Sequence, residues 1–69
     1  KAADQLKALG NELMANGDYD GAIAKYTAAI ELNGTNAVYY SNRAAAYSQV
    51  SQHDKAYDDA AKALEIDPN

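Results

Sequence analysis

Lys7, Asn11 and Asn42 are the residues of this 69-residue chain whose types and spacing best suit a ligand. Lys7 and Asn11 stand four apart, so a helix would carry both on one face, one turn from each other. Lysine supplies a mobile cation, and asparagine supplies amide donors without adding charge. Asn42 lies in Ser41-Asn42-Arg43-Ala44-Ala45-Ala46-Tyr47, a stretch too rich in alanine for a strand or a loop. The small side chains of Ala44, Ala45 and Ala46 let a neighbouring helix approach closely, and Asn42, one turn from Ala45, can then face a groove. Charge-assisted hydrogen bonds from such donors contribute about 1.5–3 kcal/mol each when shielded from water. Ala8, Ala15 and Ala45 would keep the groove wide enough for an extended peptide, and capture of a chain-terminal carboxylate by several donors is a known recognition mode.

Each of these residues also has a plainer reading. Lys7 alone is a solvated surface lysine, and Asn42 alone could cap or bridge helices. The company they keep carries the ligand reading. Arg43, the next residue round the helix, should face away from Asn42 and pair with an acidic neighbour. The six tyrosines recur at helical spacing and read as core with wet hydroxyls. His53 has no cysteine to join it and makes a poor metal ligand, so a turn or cap position is expected. Asp58 and Asp59 would point about 100° apart on a helix, which is a solvated acidic face and not a catalytic pair. No nucleophile–base pairing or phosphate-cradling glycine loop occurs, so neither an enzyme nor a cofactor is expected.

The elements that must position these groups are helical. Leu6, Leu9, Leu13 and Met14 form a stripe in steps of three and four from Ala2 to Ala15. Asn16-Gly17 ends that helix, and Asp18 is placed to cap the next. The second runs from about Tyr19 to Leu32 with the stripe Ala22, Ile23, Tyr26, Ala29 and Ile30. Asn33-Gly34 signals a hairpin only between alternating strands. Both flanks here repeat at helical spacing, which predicts a helix-to-helix turn. Thr35 or Asn36 caps a third helix, Ala37 to about Val50, with Tyr40, Ala44, Tyr47 and Val50 as its apolar positions. Ser51-Gln52-His53 turns into a fourth, Asp54 to about Ile66, with the stripe Ala56, Tyr57, Ala60, Ala63 and Leu64. Asp67-Pro68-Asn69 stops it.

Composition narrows the class further. A chain this short makes at most one small domain with a marginal core, and with no cysteine it has no disulfide to brace it. The net charge of -4 argues against nucleic acid. No apolar run approaches the roughly 20 residues of a membrane span, and no secretory signal opens the chain, so a cytoplasmic protein without membrane insertion is expected. A first residue of Lys1 points to a piece of a longer protein.

The two halves repeat. Asp20-Gly21-Ala22 matches Asp54-Lys55-Ala56, and Ala29-Ile30-Glu31-Leu32-Asn33 matches Ala63-Leu64-Glu65-Ile66-Asp67, each at an offset of 34 residues. That is the period of the tetratricopeptide repeat, a helix-turn-helix unit, and the chain resembles that family throughout. Leu6, Leu9, Gly10, Leu13, Ala22, Tyr26 and Ala29 stand where the pattern has its large, small and aromatic residues. Tyr40, Ala44, Tyr47, Ala56, Ala60, Ala63 and Pro68 do so in the second copy. Gly34 replaces the usual proline. The resemblance implies an all-α fold of two repeats, about 3–36 and about 37–69. Its four antiparallel helices would form a right-handed superhelical stack that ends before a third repeat.

Leu6-Lys7-Ala8-Leu9-Gly10-Asn11 and Tyr40-Ser41-Asn42-Arg43-Ala44-Ala45-Ala46-Tyr47 are similar to the carboxylate-clamp subgroup of co-chaperones, most of all to its small glutamine-rich branch. The resemblance implies binding of the C-terminal peptide, ending Glu-Glu-Val-Asp, of seventy- and ninety-kilodalton heat-shock chaperones. Lys7, Asn11 and Asn42 would hold its carboxylates beside Ala45. In that subgroup a Lys and an Arg of a third repeat complete the clamp, so weak binding is expected of this two-repeat chain. The alternative is a structural module in which the repeats only stack or self-associate, with a homodimer covering Tyr57, Ala60, Ala61 and Leu64 on the outer side of the fourth helix.

Overall fold

The computed structural model describes residues 1–68 and is all-α. Its four helices are α1 (Ala2–Ala15), α2 (Tyr19–Leu32), α3 (Ala37–Gln49) and α4 (His53–Ile66). The first two match the expected bounds. The third ends one residue early, with Val50 as its cap, and the fourth begins at His53. His53 is therefore the first helical residue of α4 and not part of the turn. Pro68 lies beyond the end of α4, and Asn69, assigned with it to the stop, lies outside the described residues.

Local chemistry explains the boundaries. Asp18 caps α2, its Oδ1 accepting from the Gly21 amide at 3.0 Å. Asn36, not Thr35, caps α3 by accepting from the Val38 amide at 2.9 Å. Thr35 instead bonds Asn33 Oδ1 through its hydroxyl at 2.9 Å, and the Tyr40 hydroxyl donates to the Gly34 carbonyl at 3.0 Å. The turn at Gly34 is thereby tied on both sides.

Most backbone bonds of the two hairpin turns recur at the same offset. The Asp18 amide donates to the Leu13 carbonyl at 2.8 Å, and the Gln52 amide to that of Tyr47 at 2.9 Å. Each turn needs one left-handed residue. Gly17 takes it with φ +83°, and Ser51 takes it with φ +63°. A side chain in that conformation costs roughly 1–2 kcal/mol, and glycine gives part of this back through unfolded-state entropy. Replacing Ser51 with glycine is expected to stabilise the chain by about 0.5–1 kcal/mol, read as a higher urea midpoint. A lower midpoint would show that the serine side chain contributes more than the backbone strain removes.

The core lies along α2, which packs on α1 and on α3, while α4 packs on α3 alone among the described elements. Ala22, Tyr26 and Ala46 are buried together, with Leu13, Met14 and Ile23 packed round them. Ala29 and Tyr39 are also buried. The Tyr39 hydroxyl donates to Asp4 Oδ1 and ties α3 to α1. That bond holds the Asp4 carboxyl below, and the Tyr39 phenol above, their ordinary values.

Two expected stripes are corrected. On α3 the buried residues are Tyr39 and Ala46, whereas Tyr40, Ala44 and Tyr47 are half-buried. This helix is sandwiched: Ala46 packs on the first hairpin, while the Lys55 ammonium of α4 lies 5.8 Å from the centre of the Tyr47 ring. On α4 the buried residues are Ala56 and Asp59, with Ala63 half-buried and Tyr57, Ala60 and Leu64 exposed. Leu9 of the α1 stripe is also exposed. Asp59 is accordingly no member of a solvated acidic face. It is 6% exposed and paired with Arg43.

Candidate peptide-binding site

Three helices meet at one oxygen. Oδ1 of Asn11, on α1, accepts from the Tyr26 hydroxyl of α2 and, over a long 3.4 Å, from Nδ2 of Asn42 on α3. The approach is possible because Gly10, the residue before Asn11, has no side chain: a Cβ there would come within 2.5 Å of Tyr26 Cε1. The ring lies against the α1 backbone and brings its hydroxyl to the carboxamide. Burial pushes the Tyr26 phenol above its ordinary value, so it stays a proton donor at neutral pH.

Asn11 and Asn42, predicted from α1 and α3 to share a groove, are thus brought together. Lys7 is half-buried one turn before Asn11, on the same face of α1. Ala45 is exposed one turn after Asn42 on α3, and Ala8 and Ala15 are exposed on α1. With Oδ1 of Asn11 accepting from two donors, its Nδ2 remains a donor.

Arg43 is turned elsewhere, as its position next to Asn42 predicts. Its Nε and Nη2 hold the two carboxylate oxygens of Asp59 at 2.7 and 2.8 Å, and Nη1 reaches Thr27 Oγ1 at 3.1 Å. Its guanidinium also lies 5.8 and 5.6 Å from the ring centres of Tyr40 and Tyr47. Asp59 raises its pKa still further, so the charge is fixed within the fold. His53 is exposed, and among the described residues no group of three or more His, Cys, Asp or Glu could hold a metal ion. No described helix is long and apolar enough to cross a membrane.

Tyr26 is the member of the site that sequence reasoning missed. Its helical spacing assigns it to the core, where its ring does lie. In a chain with six tyrosines and no phenylalanine, the presence of a hydroxyl at this position carried no signal.

Helical hairpins repeating every 34 residues, each packed on the next, define a helical-repeat module. The family models described as TPR repeat and Tetratricopeptide repeat match residues 10–51 and 37–69, and the chain belongs to the tetratricopeptide-repeat family. Small glutamine-rich tetratricopeptide repeat-containing protein 2 of Mycosarcoma maydis is 59% identical over 66 residues, covering 96% of this chain and 19% of that protein. The chain therefore spans a small part of the curated relatives it matches. The crystal structure of the Sgt2 TPR domain from Aspergillus fumigatus superimposes with a TM-score of 0.93 at 48% identity, over 96% of this chain and 44% of the other. The second TPR of Spaghetti (RPAP3), bound to the HSP90 peptide SRMEEVD, does so with a TM-score of 0.96 at 34% identity, over 99% and 63%.

Proposed function

We propose that this chain is the peptide-binding part of a co-chaperone. Its ligand is the acidic C-terminal end, of the Glu-Glu-Val-Asp type, of seventy- and ninety-kilodalton heat-shock chaperones. Lys7, Asn11 and Asn42 hold the terminal carboxylates, and Ala45 leaves room for the peptide backbone. The role is binding without catalysis, and a cytosolic setting belongs to the same proposal. The observation that carries it is the meeting of Asn11 and Asn42 across α1 and α3, one turn from Lys7. Support comes from the similar second TPR of Spaghetti (RPAP3), which is bound to an HSP90 peptide.

The test is the double replacement Lys7→Ala with Asn42→Ala. Removing two hydrogen bonds to a charged group, each worth about 1.5–3 kcal/mol, is expected to weaken binding of a Ser-Arg-Met-Glu-Glu-Val-Asp peptide by at least about a hundredfold. Helical circular dichroism should be unchanged. Equal affinity in the double variant would assign the peptide to another surface. A second reading, self-association, is favoured by Tyr57 and Leu64, which are 73% and 61% exposed on α4. Under it the double variant behaves as the unaltered chain in every partner assay.

A further inference from the structure

The turn between α3 and α4 differs from the other two connections. Each of those holds an Asn-Gly pair, Asn16-Gly17 and Asn33-Gly34, whereas from Ala37 to Ile66 the chain has neither glycine nor proline. No residue of that stretch breaks a helix. The reversal rests on Ser51, the one non-glycine position with a positive φ among the described residues, at +63°. A side chain disfavours that conformation. The start of α4 is also weakly fixed. Gln52 stands where Asp18 caps α2, yet it gives α4 no side-chain cap. Straightening the chain at Ser51 would relieve the backbone and bring carbonyl acceptors to the first amides of α4.

Among the described elements α4 packs on α3 alone. Its ties are the grip of Arg43 on both oxygens of Asp59 and the Lys55 ammonium beside the Tyr47 ring. None of them requires α3 and α4 to belong to one chain. We infer that this chain exchanges α4 with a second copy: two chains open at Val50, Ser51 and Gln52, and each lays its α4 on the α3 of the other. The contacts of α1 and α2 with α3 stay as they are, so the exchange does not depend on what the groove binds. Like contacts replace like, while association costs the freedom of one chain. The closed monomer therefore prevails in dilute solution and the exchanged dimer at high concentration. It is the buried face of α4 that changes partner, not the exposed Tyr57 and Leu64.

The ion pair supplies the test. A chain carrying Arg43→Met leaves Asp59 without its cation, and one carrying Asp59→Leu leaves Arg43 without its anion. Closed on itself, each is mismatched. Exchanged with each other, they restore one Arg43–Asp59 pair and bring the two apolar replacements together at the second contact. Unfolded together in urea at high concentration and refolded, the two should give a heterodimer by light scattering. Its urea midpoint should lie above that of either variant alone. A mixture that stays monomeric, or that unfolds as the sum of its components, would overturn the inference.

The hinge is tested by sedimentation equilibrium of chains refolded at high concentration. Two hinges open per dimer. Ser51→Gly suits the closed turn and should lower the association constant by about tenfold or more. Ser51→Ala suits the turn no better but favours helix, and should raise it by about fivefold. Tyr57→Ser with Leu64→Ser should leave it unchanged. Dependence on Tyr57 and Leu64 with none on residue 51 would assign association to the exposed face of α4 and overturn the exchange. An unaltered chain that stays monomeric at every concentration would do so as well.

Discussion

Arg43→Ala is expected to bring the chain close to its unfolding midpoint at 25 °C. The guanidinium grips both oxygens of Asp59 at 2.7 and 2.8 Å and bonds Thr27 at 3.1 Å, so one side chain of α3 ties α4 to α2. Asp59 is 6% exposed. Removing the arginine leaves that carboxylate buried and without its cation, a change that costs roughly 3–5 kcal/mol. A chain of 69 residues has a total stability of about 3–10 kcal/mol. The loss is thus comparable with the whole. Two further variants separate the causes. Arg43→Met with Asp59→Leu removes both charges and keeps the volume, and should recover most of the stability, since buried ion pairs add little over a well-packed apolar pair. Arg43→Lys keeps the charge but loses the two-pronged grip and the stacking between Tyr40 and Tyr47, and should fall between the two. Urea denaturation followed by circular dichroism reads all three. An Arg43→Ala midpoint within about 0.5 kcal/mol of the unaltered chain, the range of ordinary surface substitutions, would show that water reaches Asp59 and that the pair holds nothing together.

The same pair marks where the sequence stopped being legible. Helix number, turn positions and most caps could be read because Asp18, Asn36 and the Asn-Gly dipeptides act locally, within four residues of where they stand. Close helix crossing demands small residues, which accounts for the burial of Gly10, Ala22 and Ala56, whereas Ala44, the fourth small position of the pattern, is only half-buried. The faces of α3 and α4 could not be read. Matching α3 to α1 through the repeat finds Tyr40, Ala44 and Tyr47, yet α1 has no helix before it among the described residues. Its pattern is therefore silent about the second face, where Tyr39 and Ala46 meet the first hairpin. The buried side of α4 includes Asp59, which any search for apolar stripes passes over. With alanines at 56, 60, 61 and 63, small residues single out no side of that helix.

The candidate site divides along the same line. Lys7 and Asn11 are four apart on one helix, so their common face follows from helix geometry alone. That Asn42 joins Asn11 depends on how two hairpins stack, and here the resemblance to the clamp subgroup supplied what local rules could not. Tyr26 enters through a bond between residues 15 apart, fixed by the depth at which α2 sits on α1. No local pattern encodes that depth except the glycine that permits it.

That glycine makes the second large effect. Gly10→Ala sets two magnitudes against each other. Within a helix, alanine is better than glycine by about 1 kcal/mol, so propensity alone forecasts a more stable chain. Sterics forecast the reverse. The added methyl would stand 2.5 Å from Cε1, 2.8 Å from Cδ1 and 3.0 Å from Cζ of Tyr26, far inside contact distance. The obstacle is a rigid ring, 1% exposed, with its hydroxyl engaged, so relief requires the ring or a whole helix to shift. Overpacking of this kind costs roughly 1–3 kcal/mol, occasionally more. The clash therefore outweighs the propensity, and Gly10→Ala should lose up to about 2 kcal/mol net. Gly10→Val, bulkier and with less helical benefit, should lose about 3 kcal/mol. The origin is checked by repeating Gly10→Ala on a Tyr26→Leu background. With the ring gone the methyl has room, and the substitution should turn neutral or stabilising, a coupling that a double-mutant cycle reads directly. Because the displaced ring carries the hydroxyl that holds Asn11, Gly10→Ala should also weaken binding of the acidic peptide, although residue 10 touches no part of it. A rise in melting temperature for Gly10→Ala alone would mean that α1 and α2 sit further apart than the ring contact requires, and the positioning of Asn11 would lose its foundation.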